Sequence, residues 1–258
     1  MHESHTNQRF IGRTLVFIPM NELNPSNWIY WFGLVTLSCM LLPVIAVLVK
    51  KQFNPGFIAV ATYFLFTFIY NLLLIAFPNF PKDSRRIIGV LNNLLDAPLM
   101  LLFLIQFASS IEMKKLLKIC LFAFITFELG ILLLYGFSIK AITIFTGPGL
   151  LIVLAFSFYF FTLHIRVAIT QRKDIAKTLM IAGILFGYAV YFMVYLFYYI
   201  LETPNRIDAM IIYFLATIVA SVLLASGLLR EKSAAVKPAV IDKANFKVHG
   251  HTTFPKMS

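Results

Sequence analysis

Charge is what this sequence has least of. Only 13% of its 258 residues are Asp, Glu, Lys or Arg, about half the share of an average soluble domain, while 60% are hydrophobic. A soluble domain of this length does not need so much apolar surface, nor 27 Phe beside 12 Gly, so a water-soluble fold is excluded and the solvent for most of the chain is lipid. Cysteine is scarce as well. Cys39 and Cys120 both lie inside apolar runs, where a thiol reads as a small buried hydrophobe rather than half of a disulfide or metal pair. The motifs HExxH, GxSxG and Walker A are missing, so metalloprotease, serine-hydrolase and nucleotide-driven chemistry lack their minimum residues. There is no Gly/Ser linker and no internal repeat of the kind that builds two-part transporters.

Basic residues outnumber acidic ones by 22 to 11, a net charge of +11. They fall as pairs between apolar runs, at Lys50-Lys51, Arg85-Arg86, Lys114-Lys115 and Arg172-Lys173. That is the pattern of membrane topogenesis, not of a phosphate-binding groove, and nucleic acid is not an expected partner.

About 20 apolar residues make one crossing, and on that measure the chain holds seven spans, at 28–49, 56–77, 86–108, 116–136, 143–165, 178–201 and 207–229. The reading is therefore an all-α integral membrane bundle of seven transmembrane helices. An odd number places the termini on opposite sides. Loops on the C-terminal side hold Lys50, Lys51, Lys114, Lys115, Lys118, Arg166, Arg172, Lys173, Lys177, Arg230 and Lys232; the other side holds Arg9, Arg13, Lys82, Arg85, Arg86, Lys140 and Arg206. The positive-inside rule then puts the N-terminus outside and the C-terminus in the cytoplasm of a bacterial inner membrane, with the loop of Lys82, Arg85 and Arg86 dissenting. Residues 1–27 are too polar for a cleaved signal and read as an extracytoplasmic arm, 28–230 as the membrane domain, and 231–258 as a disordered basic cytoplasmic tail.

An ionisable group near mid-bilayer costs about 2.5–3.5 kcal/mol even on lenient insertion scales. Two residues demand explanation on that ground, Asp96 in the third span and Glu128 in the fourth. They lie at similar depth on consecutive spans, so the sequence predicts that they are neighbours. No Lys or Arg accompanies them, which leaves them protonated, sharing a proton or neutralised by a bound cation, and sharing a proton is the simplest arrangement. Asn92, Asp96, Leu99, Phe103 and Gln106 form one face of the third span, with Asn93 beside it, and Pro98 follows where a freed carbonyl or bend is expected. The second span adds Tyr63, Thr67, Tyr70 and Asn71, the sixth Tyr188, Tyr191 and Tyr195, and the seventh Thr217 and Ser221. Helix packing alone accounts for many such groups: Gly183 and Gly187 form a GxxxG, and Ala216, Ala220 and Ala225 continue a small-residue row, serving either the bundle or a homodimer. His164 stands alone near the cytoplasmic end of the fifth span, which excludes bis-histidine ligation and favours interfacial hydrogen bonding.

The segment Asp96-Ala97-Pro98-Leu99-Met100-Leu101-Leu102 resembles the third helix of microbial rhodopsins, and Ser226-Gly227-Leu228-Leu229-Arg230 is loosely similar to their seventh. The likeness covers about two helices. Residues 207–229 contain no Lys, so a retinal Schiff base is excluded and no cofactor is expected. Over nearly the whole length the chain is similar to small seven-helix bacterial inner-membrane proteins of no assigned activity, through Asn92, Asn93 and Asp96 on the third helix and Gly183, Gly187 and Tyr191 on the sixth. That resemblance implies the architecture and no mechanism.

The expected function is a receptor or sensor rather than an enzyme, intramembrane catalysis being unsupported but not excluded, in which an outward-opening pocket around Asp96, Glu128, Asn92, Asn93, Asn71, Tyr70, Tyr188, Tyr191, Tyr195 and Thr217 takes a proton, cation or small ligand. Its basic loops would contact a cytoplasmic or membrane protein partner. A small proton- or cation-coupled transporter, and an intramembrane enzyme or assembly factor, are the alternatives. Orientation is directly testable in a background where Cys39 and Cys120 are replaced by Ser. In sealed right-side-out vesicles, a membrane-impermeant thiol reagent should label a Ser4→Cys variant and leave Ser258→Cys unlabelled until the vesicles are opened; the opposite pattern reverses the topology.

Overall fold

The computed structural model describes residues 28–51, 53–77, 81–197 and 206–231. The expected N-terminal arm and nearly all of the basic tail lie outside the described residues. The described chain is all α-helical. In order it forms α1 (Trp28–Lys50), α2 (Pro55–Ala76), α3 (Lys82–Leu104) closed by a 3₁₀ turn at Ile105–Phe107, α4 (Ile111–Tyr135), α5 (Ile139–Gln171), α6 (Ile175–Tyr195) and α7 (Arg206–Arg230). All seven are long and apolar enough to cross a membrane, which makes this a multi-pass membrane protein with lipid-facing helices.

The turns show why helices start where they do. In lipid, an uncapped helix end leaves backbone donors that no water satisfies. Asn54 accepts from the Phe57 amide at 2.8 Å with Pro55 at the first helical position, and Ser110 and Ser138 cap α4 and α5 through the Met113 and Ala141 amides. Two helices outrun the apolar stretches. α4 begins at Ile111 rather than 116, and α5 runs 33 residues to Gln171 rather than stopping at 165. Hydropathy marks where lipid is tolerated, whereas a helix continues until a cap stops it, here Ser110 at one end and the left-handed Arg172 (φ 52°) at the other.

Six helices close a ring. α1 packs on α2, α2 on α3, α3 on α5, α5 on α6, α6 on α7, and α7 back on α1. α4 stands outside, against the seam of α3 and α5. Only 17% of its most apolar stretch is buried, against 39–50% for the other six, and its buried residues are Leu117, Phe124 and Glu128, one stripe. The ring has two ends. One carries the starts of α1, α3, α5 and α7 and is called the Lys82 end; the other carries their C-termini and is called the Arg230 end.

The tightest seam joins α6 to α7. A Cβ on Gly183 would lie 2.8 Å from the Ala220 carbonyl oxygen, one on Gly187 3.1 Å from the Ala220 methyl, and one on Gly227 2.7 Å from the Ala176 carbonyl oxygen. The GxxxG of the sixth span is therefore used inside the bundle, where small residues let two backbones approach. Any self-association would need another surface.

Gly227→Ala should lower the thermal midpoint of the detergent-purified protein, because overpacking of about 1–3 kcal/mol exceeds the helix-propensity gain of about 1 kcal/mol. Gly130→Ala, on exposed α4 with nothing within 4 Å, should leave it unchanged or raise it. Equal effects would show that the α6–α7 contact is looser than described.

Candidate functional site

The centre of the ring is polar because α3 turns one face inward. Asp96 points there from between the α2 and α5 contacts. Its Oδ1 accepts from the Tyr188 hydroxyl on α6, and the Tyr63 hydroxyl on α2 is close enough to interact with the same carboxyl. The nearest basic residue on its own helix is Arg86, ten positions or roughly 15 Å away. Phenols from two other helices thus stand where a cation would otherwise be required, since hydrogen bonds to an ionised acceptor are roughly twice as strong as neutral ones.

A second chain of bonds runs beside it. Thr217 Oγ1 donates to the Tyr213 carbonyl at 2.8 Å, as Thr does within helices. Having one proton, it must accept from Tyr191, whose hydroxyl lies 2.9 Å away. Tyr191 stacks on Tyr213 with centroids 4.9 Å apart and lies 6.0 Å from the Tyr188 ring. Beside Tyr63, Tyr188 and Tyr191 is a cavity of about 20 Å³, measured to the centre of a water molecule and lined also by Met100, Gly183 and Gly187 among others. That is room for one water.

The predicted residues divide into groups. Asp96, Tyr188, Tyr191 and Thr217 meet at the centre. Asn92 and Asn71 lie along the α2–α3 seam, where Thr67 Oγ1 donates to Asn92 Oδ1 at 3.1 Å and Asn71 Nδ2 donates to the Thr67 carbonyl at 2.7 Å. Tyr70 is buried nearby, its hydroxyl without a hydrogen-bond partner among the described residues. Three residues go elsewhere. Asn93 donates to the Gly89 carbonyl of its own helix at 2.8 Å. Tyr195 donates to the Thr143 carbonyl on α5 at 2.9 Å, its hydroxyl pressed against Gly147. Glu128 sits at the seam of α4 with α3 and α5, 1% exposed, with Oε1 unpartnered among the described residues. No hydrogen bond joins it to Asp96, because Asp96 faces the ring and Glu128 reaches in from outside it.

Two contributors were not among the predicted residues. Tyr63 shares the face of Thr67 and Tyr70 at helical spacing, and Tyr213 lies one turn before Thr217. Tyr63 is marked by periodicity alone, and Tyr213 is not singled out in the sequence. What periodicity could not supply was that their faces look at Asp96.

At the Arg230 end, His164 Nε2 lies 3.4 Å from the Phe107 carbonyl oxygen and its Nδ1 3.5 Å from Asp174, which also pairs with Lys177 at 3.2 Å. His164 thus bonds to the end of α3 and the start of α6. Burial raises the Glu231 carboxyl above its ordinary value, opposed by Lys177. Among the described residues no group of three or more His, Cys, Asp and Glu is placed to hold a metal ion.

Removing a donor from a buried carboxylate costs about 1–3 kcal/mol. Tyr188→Phe should destabilise the protein by that order, and in a double-mutant cycle with Asp96→Asn the two should couple by about 1 kcal/mol or more. Additive effects in detergent unfolding would mean that the bond contributes nothing.

Compared with protein families, with curated proteins and with solved structures, the chain finds no match in any of the three.

Proposed function

We propose that this multi-pass protein is a receptor or sensor of a bacterial inner membrane, oriented with its N-terminus outside, in which the protonation of Asp96 is the event that is read. The observation carrying this reading is the carboxyl of Asp96 held by the Tyr188 hydroxyl of α6, a tyrosine that also lines a one-water cavity with Tyr63 of α2. Ionised, Asp96 accepts from the Tyr188 phenol and ties α3 to α6. Protonated, it becomes a donor as well and that strong bond weakens. Such a change biases α6 against α3, and because α6 is locked to α7 through Gly183, Gly187 and Gly227, the two would move as one body. Their Arg230 ends lie beside the basic residues Arg172, Lys173, Lys177 and Arg230, the surface expected to meet a protein partner.

The cavity's size favours a proton, with or without a water, over an organic ligand. The hydrogen bonds across the ring favour a switch over an open path, which sets transport second. Tyrosine and tryptophan fluorescence of protein in nanodiscs, titrated across pH, should show a transition that Asp96→Asn abolishes, while proteoliposomes show no proton or sodium flux. Flux lost in Asp96→Asn would establish the transporter instead; a transition unchanged in that variant would remove Asp96 from the function.

A further inference from the structure

Glu128 is the polar group that the central cluster does not use. It is the one ionisable residue in the buried stripe of α4, 99% shielded, with Oε1 lacking any hydrogen-bond partner among the described residues. A packing role does not call for a carboxyl there, and lipid penalises one.

The register of the three helices around it is set by contacts. The point a Cβ on Gly149 would take lies 2.9 Å from the Phe124 ring and 3.0 Å from the Ala97 methyl, so these residues of α5, α4 and α3 share one level. Toward the Lys82 end, Val90, Ile142 and Phe145 form the next apolar layer, packed by Ile131 and Leu132. Glu128 lies between the layers, one turn beyond Phe124. Successive helices being antiparallel, helical register sets Asn93 and Leu94 of α3 and Phe145 and Thr146 of α5 at its level.

Two further oxygens lack their usual partners at that level. Thr146 Oγ1 is buried and has no hydrogen bond among the described residues. The Leu94 carbonyl has no helix N–H to accept, because the residue four positions on is Pro98. A carboxylate, a hydroxyl and a freed backbone carbonyl between apolar layers are the donor set that hard monovalent cations take inside membrane proteins.

We propose that the seam between α3, α4 and α5 binds a sodium ion through Glu128, Thr146 and the Leu94 carbonyl. The ion neutralises Glu128 and fixes α4, the helix with the least packing of its own, to the ring. It also sets a positive charge within electrostatic reach of Asp96, so occupancy of the seam and protonation at the centre oppose one another. The site itself does not depend on Asp96 being the sensing group.

The test is the thermal midpoint of the full chain in nanodiscs, with sodium chloride against choline chloride at equal ionic strength, at neutral and alkaline pH. The wild type should rise with sodium and saturate. Glu128→Gln should lack the response, Thr146→Val should need about tenfold more sodium, and Asp96→Asn should keep it. A wild type that does not distinguish sodium from choline at either pH overturns the proposal, as does a response retained in Glu128→Gln. A response lost only in Asp96→Asn moves the ion to the ring centre and overturns it too. Should Glu128→Gln not fold, an unshifted sodium midpoint in Thr146→Val is the overturning result.

Discussion

A carboxyl group inside a lipid-embedded ring has to be answered by donors, and the donors for Asp96 come from other helices. Its own helix offers no cation at that depth and a proline two residues on. The Tyr188 hydroxyl therefore ties α6 to α3, as Thr67 with Asn92 ties α2 to it, and the rest of the ring follows from making that possible. α6 must approach closely enough for a phenol to reach across, and it does so by lying glycine-first on α7. α7 in turn packs on α1, which returns to α2. Lipid tails are as apolar as leucine, so no hydrophobic force between helices would select this order unaided; small-residue contact and interhelical hydrogen bonds select it.

The same constraint explains the closeness of the α6–α7 pair. The two helices approach at Gly187, Gly183 and Gly227, where Ala220 and the Ala176 carbonyl lie against the glycines and the Met180 side chain packs beside Gly227. Tyr191, Tyr213 and Thr217 extend the polar centre onto α7 by one stacked pair and one hydroxyl bridge.

α4 follows a different rule. It gives the ring three buried residues and leaves most of its surface to lipid, so little apolar packing holds it in place. The one polar residue among those three is a glutamate whose Oε1 has no partner among the described residues. The least-packed helix thus carries the least-satisfied group, and whatever neutralises that group also determines how α4 is held.

Much of this was legible in the sequence, and the reason is locality. Where lipid is tolerated depends on the side chains of each segment alone, so seven spans, the all-α class and the two acids that break the apolar pattern were readable without coordinates. Helical period likewise placed Asp96 with Asn92, and Tyr188 with Tyr191. Period states which residues share a face, but not what that face meets. Only the tertiary structure decided that α4 stands outside the ring, that Tyr195 turns to α5 and Asn93 to its own backbone, that Tyr63 and Tyr213 join the centre, and that Glu128 and Asp96 share no bond. Those outcomes depend on the order and closeness of helix packing, set by a few glycines and one buried carboxyl acting across distant segments, which no window along the chain contains.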